Sequence, residues 1–262
     1  MKKTCVVLGL AGLMAAPNLF AAMSVTLMDD TPGMNSTYSY SQGDGGEFRA
    51  VGNSGLDGVV NWGAYSSATK GTVTAANDGA SWGYGQGLAV PGSSYFQTFC
   101  TELREEYSPG GLYPISSIGN AALNNNTGHP VPITLGVAYL YSKFAAGTLG
   151  GYDYSYTDGG GRSASAGNLQ NAIWSLLGEQ DISLLTGAAL TDLQNSGIAQ
   201  ADWTAAANGA YGVEDMTLNN PGQAQDQLIM AVPESTTMIA GALLLLPLGA
   251  STFKILRKKR SV

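Results

Sequence analysis

Of the two cysteines in this 262-residue chain, Cys5 lies in an N-terminal apolar run and only Cys100 lies in the body. Both ends of the chain mark it for export. A lone thiol in an exported chain has no intramolecular disulfide partner and flags other chemistry. Its setting, Tyr95-Phe96-Gln97-Thr98-Phe99-Cys100-Thr101-Glu102-Leu103, reads as a strand end running into a polar loop. Further along, Leu169, Ala172, Ile173, Leu176 and Leu177 recur at helical spacing. Gln170 falls about 100° round the helix from Leu169, between Leu177 and Trp174, inside the apolar sector. Burying an unpartnered carboxamide costs roughly 2–7 kcal/mol, so Gln170 needs a partner. A core backbone group is the ordinary choice, and an inert buried thiol is the ordinary Cys. The reactive choice joins the two. A thiolate held against a carboxamide attacks its carbon and expels ammonia. The resulting thioester is stable while buried and open to amines or hydroxyls that reach it. Fixed proximity supplies much of the activation.

Together, Phe99-Cys100 and Leu169-Gln170-Asn171-Ala172-Ile173-Trp174 resemble the thioester domains of bacterial surface adhesins, over roughly residues 95–180. The resemblance implies that Cys100 is the thioester thiol and Gln170 the acyl donor. It also implies that Ala172, Ile173 and Trp174 form the helix face beside the bond, with Phe99 flanking the thiol. Tyr139-Leu140-Tyr141 looks like the helix that lies between the two motifs in such domains. Leu169 stands where many of them carry Thr. The function the resemblance implies is that of a single-use acyl donor to surface amines or polysaccharide hydroxyls, not a turnover enzyme, with no cofactor and no metal.

These residues need elements to position them. From Met23 to about Phe99, short apolar or aromatic runs (Ser24–Met28, Tyr38–Tyr40, Val59–Trp62, Thr72–Ala75) alternate with Gly, Asn, Asp and Ser clusters, which predicts strands joined by tight turns. Helices are expected over Leu135–Phe144 and over Asn168–Leu177, the second capped by Asn168 or Ser165 and stopped at Gly178. Tyr152–Thr157 alternates aromatic and polar residues like an edge strand or hairpin. Residues 184–207 form a further amphipathic stretch, and Asp226–Val232 reads as a last strand. The expected fold is mainly β with inserted helices (α+β), one β-rich domain over residues 23–231.

Both ends read as addresses. Residues 1–22 open with Lys2 and Lys3, continue through an apolar run and finish in small residues, as a signal peptide cleaved near Ala21 or Ala22 does. Residues 232–262 hold Val232-Pro233-Glu234, an apolar segment over 238–256 long enough for a transmembrane helix, and the basic cluster Arg257-Lys258-Lys259-Arg260. The basic cluster predicts a cytoplasmic C-terminus and an exported body. This tripartite tail resembles the PEP-CTERM sorting signal of Gram-negative bacteria, with Ser235 in place of the commoner second Pro. The resemblance implies signal peptidase and an exosortase-type enzyme as partners, at least transient residence in the inner membrane, and a cell-surface or matrix destination. A plain C-terminal anchor is the alternative for the tail. For the whole chain, the alternative is a passive exopolysaccharide- or biofilm-associated surface protein without a thioester.

Composition excludes several classes. Gly numbers 36 of 262 residues and charged residues only 12 %, against a helical bundle. Seven of the 12 Lys and Arg residues lie in the two end segments, so five remain in the body against 18 of the 19 acids, a net of −13 rather than −7. That sign disfavours a nucleic-acid partner. Gly83-Tyr84-Gly85-Gln86-Gly87 lacks the helix and Lys-Ser/Thr of a phosphate loop and reads as a turn. His129 sits in a loop composition, which weakens a Cys–His dyad. Asp153–Gly159 lacks the Gly and Glu of a calcium loop, and Glu102, Glu105 and Glu106 read as a solvated acidic turn.

Overall fold

In the computed structural model, the described residues are 23–28, 46–52, 55–73, 92–105, 110–124, 129–155, 161–218 and 224–232. The expected signal peptide, the run Tyr38–Tyr40, the Gly83–Gly87 turn and the tail from Pro233 onward lie outside them. Among the described residues no helix is long and apolar enough to cross a membrane.

The fold is β-rich α+β. Seven strands form one antiparallel sheet: β1 (Ser24–Met28), β2 (Phe48–Gly52), β3 (Lys70–Thr72), β4 (Ser94–Thr98), β5 (Leu112–Gly119), β8 (Val213–Leu218) and β9 (Gln227–Met230), in the spatial order β3-β4-β2-β1-β5-β8-β9. Two further strands, β6 (Ala121–Asn124) and β7 (His129–Pro132), pair separately as a ribbon. Helices α1 (Leu135–Ala145), α2 (Arg162–Leu177) and α3 (Gly187–Asn195) complete the core. The period of two decides the faces. Val25, Leu27, Ala50 and Phe96 pack into the main cluster with Val137, Leu140, Leu169 and Ile173 of the helices. Met28, Val51 and Tyr95 form a smaller cluster with Val73 on the other side. Cys100 lies two residues beyond the end of β4, where the strand alternation has stopped, and packs with Phe48 of β2 and Trp174 of α2.

The α1 helix and the strands Ser24–Met28 and Gln227–Met230 lie where the sequence pattern puts them. Other elements differ. The second helix starts at Arg162, not near Asn168. Its first turn is fixed by a buried ion pair between Arg162 and Glu47, which a local pattern does not contain. Gly178 ends it as expected, with φ of +77°. Residues 152–155 are irregular, not an edge strand. Tyr152 and Tyr154 share a side, their rings 5.1 and 6.0 Å from that of Phe144, as alternation expects. The backbone does not extend into a ladder: Asp153 N–H donates to Ser165 Oγ (3.1 Å), and the Asp153 carboxylate accepts from Ser155 N–H (2.9 Å) and Gly161 N–H (2.8 Å). Val59–Trp62 contributes only a single bridge at Val60 before a 3-10 turn at Trp62–Ala64. The stretch 184–207 is broken by Gly197, at φ of +80°, into α3 and a short 3-10 turn at Gln200–Asp202.

Candidate functional site

Strand β4 delivers Cys100 to the helix-covered side. An isolated bridge to Gln227 and a hydrogen bond from Leu228 N–H to the Phe99 carbonyl (3.0 Å) pin this turn of chain to β9. From α1, the Tyr141 hydroxyl lies within hydrogen-bond distance of the carbonyls of Gln97 (3.1 Å) and Leu228 (3.0 Å), spanning the same two strands. Opposite, α2 presents Gln170 with 1 % of its surface exposed, and Cys100 is fully buried. The two residues whose types suggested chemistry therefore meet across the sheet–helix interface.

Their geometry is specific. The Cys100 thiol donates to Gln170 Oε1 at 3.3 Å, and the Cys100 backbone N–H donates to the same oxygen at 3.2 Å. Gly46 N–H reaches it too, at 3.2 Å. On the other side of the amide, Gln170 Nε2 donates to the Cys100 carbonyl at 2.8 Å. Donors on one atom and an acceptor beside the other fix the orientation of the carboxamide. Phe48, Trp174 and the partly buried Leu103 pack round the thiol. Burial above all, then the charge of Glu102, pushes the Cys100 thiol well above its ordinary value, while its own backbone amide and the Trp174 indole pull the other way. A thiol held neutral in this way is a weak nucleophile, so any attack on the Gln170 carbonyl must draw on the fixed contact and not on a standing thiolate.

The flanking residues divide. Trp174, one turn beyond Gln170, joins Cys100 and Phe48, whereas Ala172 and Ile173 face the main core, as does Phe99, whose ring stands edge-on to Phe144 at 4.9 Å. Of the residues expected beside the bond, Trp174 is therefore the one packed with the thiol. Val232 is exposed just after β9, while Pro233, Glu234 and Arg257–Arg260 lie outside the described residues.

A second polar constellation escaped the sequence reading. Glu102 and Glu105 are not a solvated turn: they are 1 % and 4 % exposed, and Gln225 and Asp226, just before β9, bond to Glu102, while Glu106 lies outside the described residues. Glu102 accepts from Asp226 N–H at 3.0 Å, and Asp226 accepts from Leu218 N–H at 2.9 Å. Asp215 accepts from the hydroxyls of Thr101 (3.1 Å) and Thr217 (3.0 Å). Burial first, then the Asp226 charge, pushes Glu102 up to about 9, with Glu105 adding to the rise. The same two causes raise Asp215 well above its ordinary value. Also missed were Gly46, Glu47 and Arg162. Arg162 carried a signal, because it shares a helix face with Ala166, Leu169 and Ile173, and a charge in a buried stripe demands a partner. His129, expected in a loop, is exposed at the start of β7 in the separate ribbon.

A cavity of about 860 Å³ opens between β7, the end of α2 and α3, lined by residues that include Thr134, Leu176, Gln180 and Trp203, and it contains neither Cys100 nor Gln170. Comparison with protein-family models, curated proteins and solved structures finds no match, so the geometry of the site carries the functional reading.

Proposed function

We propose that this protein is an exported surface adhesin that uses an internal Cys100–Gln170 thioester as a single-use acyl donor. The observation that carries the proposal is the buried contact of thiol and carboxamide, 3.3 Å from Sγ to Oε1, between residues seventy positions apart. Sγ attacks the Gln170 side-chain carbonyl carbon, an S–C bond forms, and the C–N bond breaks. Nε2 leaves as ammonia carrying the thiol proton. An amine or hydroxyl of a target surface later attacks the same carbon and returns a proton to sulfur, so the target is bonded through Gln170 and Cys100 is free again. One molecule reacts once. The signal peptide and PEP-CTERM-like tail support delivery through the inner membrane, with signal peptidase and an exosortase-type enzyme as processing partners.

The test is the mass of the protein purified from its native envelope or extracellular fraction, with termini assigned by peptide mapping. The expected result is a deficit of one ammonia, lost in Cys100→Ala, and a methylamine adduct on Gln170. Full mass together with a thiol that reacts freely on unfolding would support instead the passive surface protein.

A further inference from the structure

From the geometry we infer that Gly46 N–H and Cys100 N–H form an oxyanion hole for Gln170 Oε1, and that the buried Glu47–Arg162 pair is the clamp that holds Gly46 in place. The inference rests on the thioester reading and names the machinery that forms and opens the bond. When Sγ adds to the carbonyl carbon, the π electron pair moves onto Oε1. Two backbone N–H groups, each 3.2 Å away in the starting amide, already point at that atom. Preorganised donors of this kind act most strongly where water is excluded, and Cys100, Gly46 and Gln170 are all buried. When the intermediate collapses, the Nε2 that donates to the Cys100 carbonyl leaves with the thiol proton as ammonia. Attack by an outside amine puts charge on the same oxygen, so the same two groups serve both steps.

The clamp explains why Gly46 sits there. Its φ of +150° suits glycine, and the next residue is anchored firmly. Glu47 is 0 % exposed. It accepts from Arg162 Nε at 2.9 Å and from Arg162 Nη2, a two-bonded fork, and from the Tyr152 hydroxyl at 2.6 Å. Arg162 in turn donates to the carbonyls of Tyr154 (2.6 Å) and Ala68 (2.9 Å). Because Arg162 stands on the helix that carries Gln170, the fork ties the donor and the acceptor of the hole to one rigid element. Glu47 and Arg162 touch no reacting atom and are positioning residues.

Cell-free synthesis of the full chain in detergent micelles, with glycolic acid incorporated at position 46, replaces that N–H by an ester oxygen with little change of shape. The readout is the growth of the ammonia deficit with time and the rate of methylamine addition, at equal folded fraction by circular dichroism. Both rates should fall about 100-fold, as for loss of one oxyanion donor. The parent rates in the ester chain would overturn the oxyanion hole and leave the thioester standing, whereas absence of any deficit in the parent chain would remove the thioester reading and this inference with it. If the ester chain does not fold, Arg162→Lys decides the matter. It keeps the charge and loses the fork, so bond formation should slow by about tenfold if preorganisation is lost. A parent rate at equal folded fraction would overturn the proposal.

Discussion

Two buried polar constellations lie within a few residues of each other at the end of β4, and they are built on opposite principles. Around Gln170, donors face an acceptor and an acceptor faces a donor, so the cluster is satisfied without any net charge. Around Glu102, Asp215 and Asp226, carboxyl groups are crowded together out of water, and Glu102 and Asp215 are driven toward their protonated forms. The first arrangement holds no carboxylate and keeps thiol and carboxamide in register. The second depends on retained protons.

The contrast breaks most visibly at the clamp. Replacing Arg162 by Met strands the Glu47 carboxylate in the interior, and unfolding in urea should show a loss of about 3–5 kcal/mol. Next comes the amide itself. In a Cys100→Ala background, where the carboxamide persists, Gln170→Leu leaves two N–H groups and one carbonyl without partners and should cost on the order of 3 kcal/mol. A cost below about 1 kcal/mol would show that the interface repacks and that the amide is not held as described.

The carboxyl cluster sharpens the contrast through pH. Folded-state values raised above those of the unfolded chain mean that the native state keeps protons the unfolded state has released. The stabilising contribution is therefore complete below about pH 4 and is lost as pH rises toward the Glu102 value of about 9. The melting temperature should fall steadily between about pH 5 and pH 9, and Asp215→Asn should flatten that slope. Smallest of all, Thr217→Val removes one hydroxyl from Asp215 and should cost about 1 kcal/mol.

Local interactions decide how much of the molecule was legible in the sequence. The α1 and α2 bodies, the Gly178 stop, the strand leading to Cys100 and the position of Gln170 in an apolar sector are all set by periodicity within a few turns of chain. The contact of Cys100 with Gln170 was reached through residue chemistry and resemblance. The start of α2 and the burial of Glu102 were not reached, because each depends on a partner more than a hundred residues away, Glu47 for Arg162 and Asp226 for Glu102. Acidic residues in a row look solvated unless their distant partners, here Gln225 and Asp226 at Glu102, are known. The irregular course of residues 152–155 comes from side-chain bonds that periodicity does not show, with Ser165 taking the Asp153 N–H and the Asp153 carboxylate taking the N–H groups of Ser155 and Gly161.

The central claim, that Cys100 and Gln170 are joined, reduces to one mass measurement on the native protein. A deficit of one ammonia that maps to the peptides holding these two residues, and that disappears in Cys100→Ala, is the result the account predicts. Full mass with an unmodified Gln170 and a titratable Cys100 thiol after unfolding would contradict it.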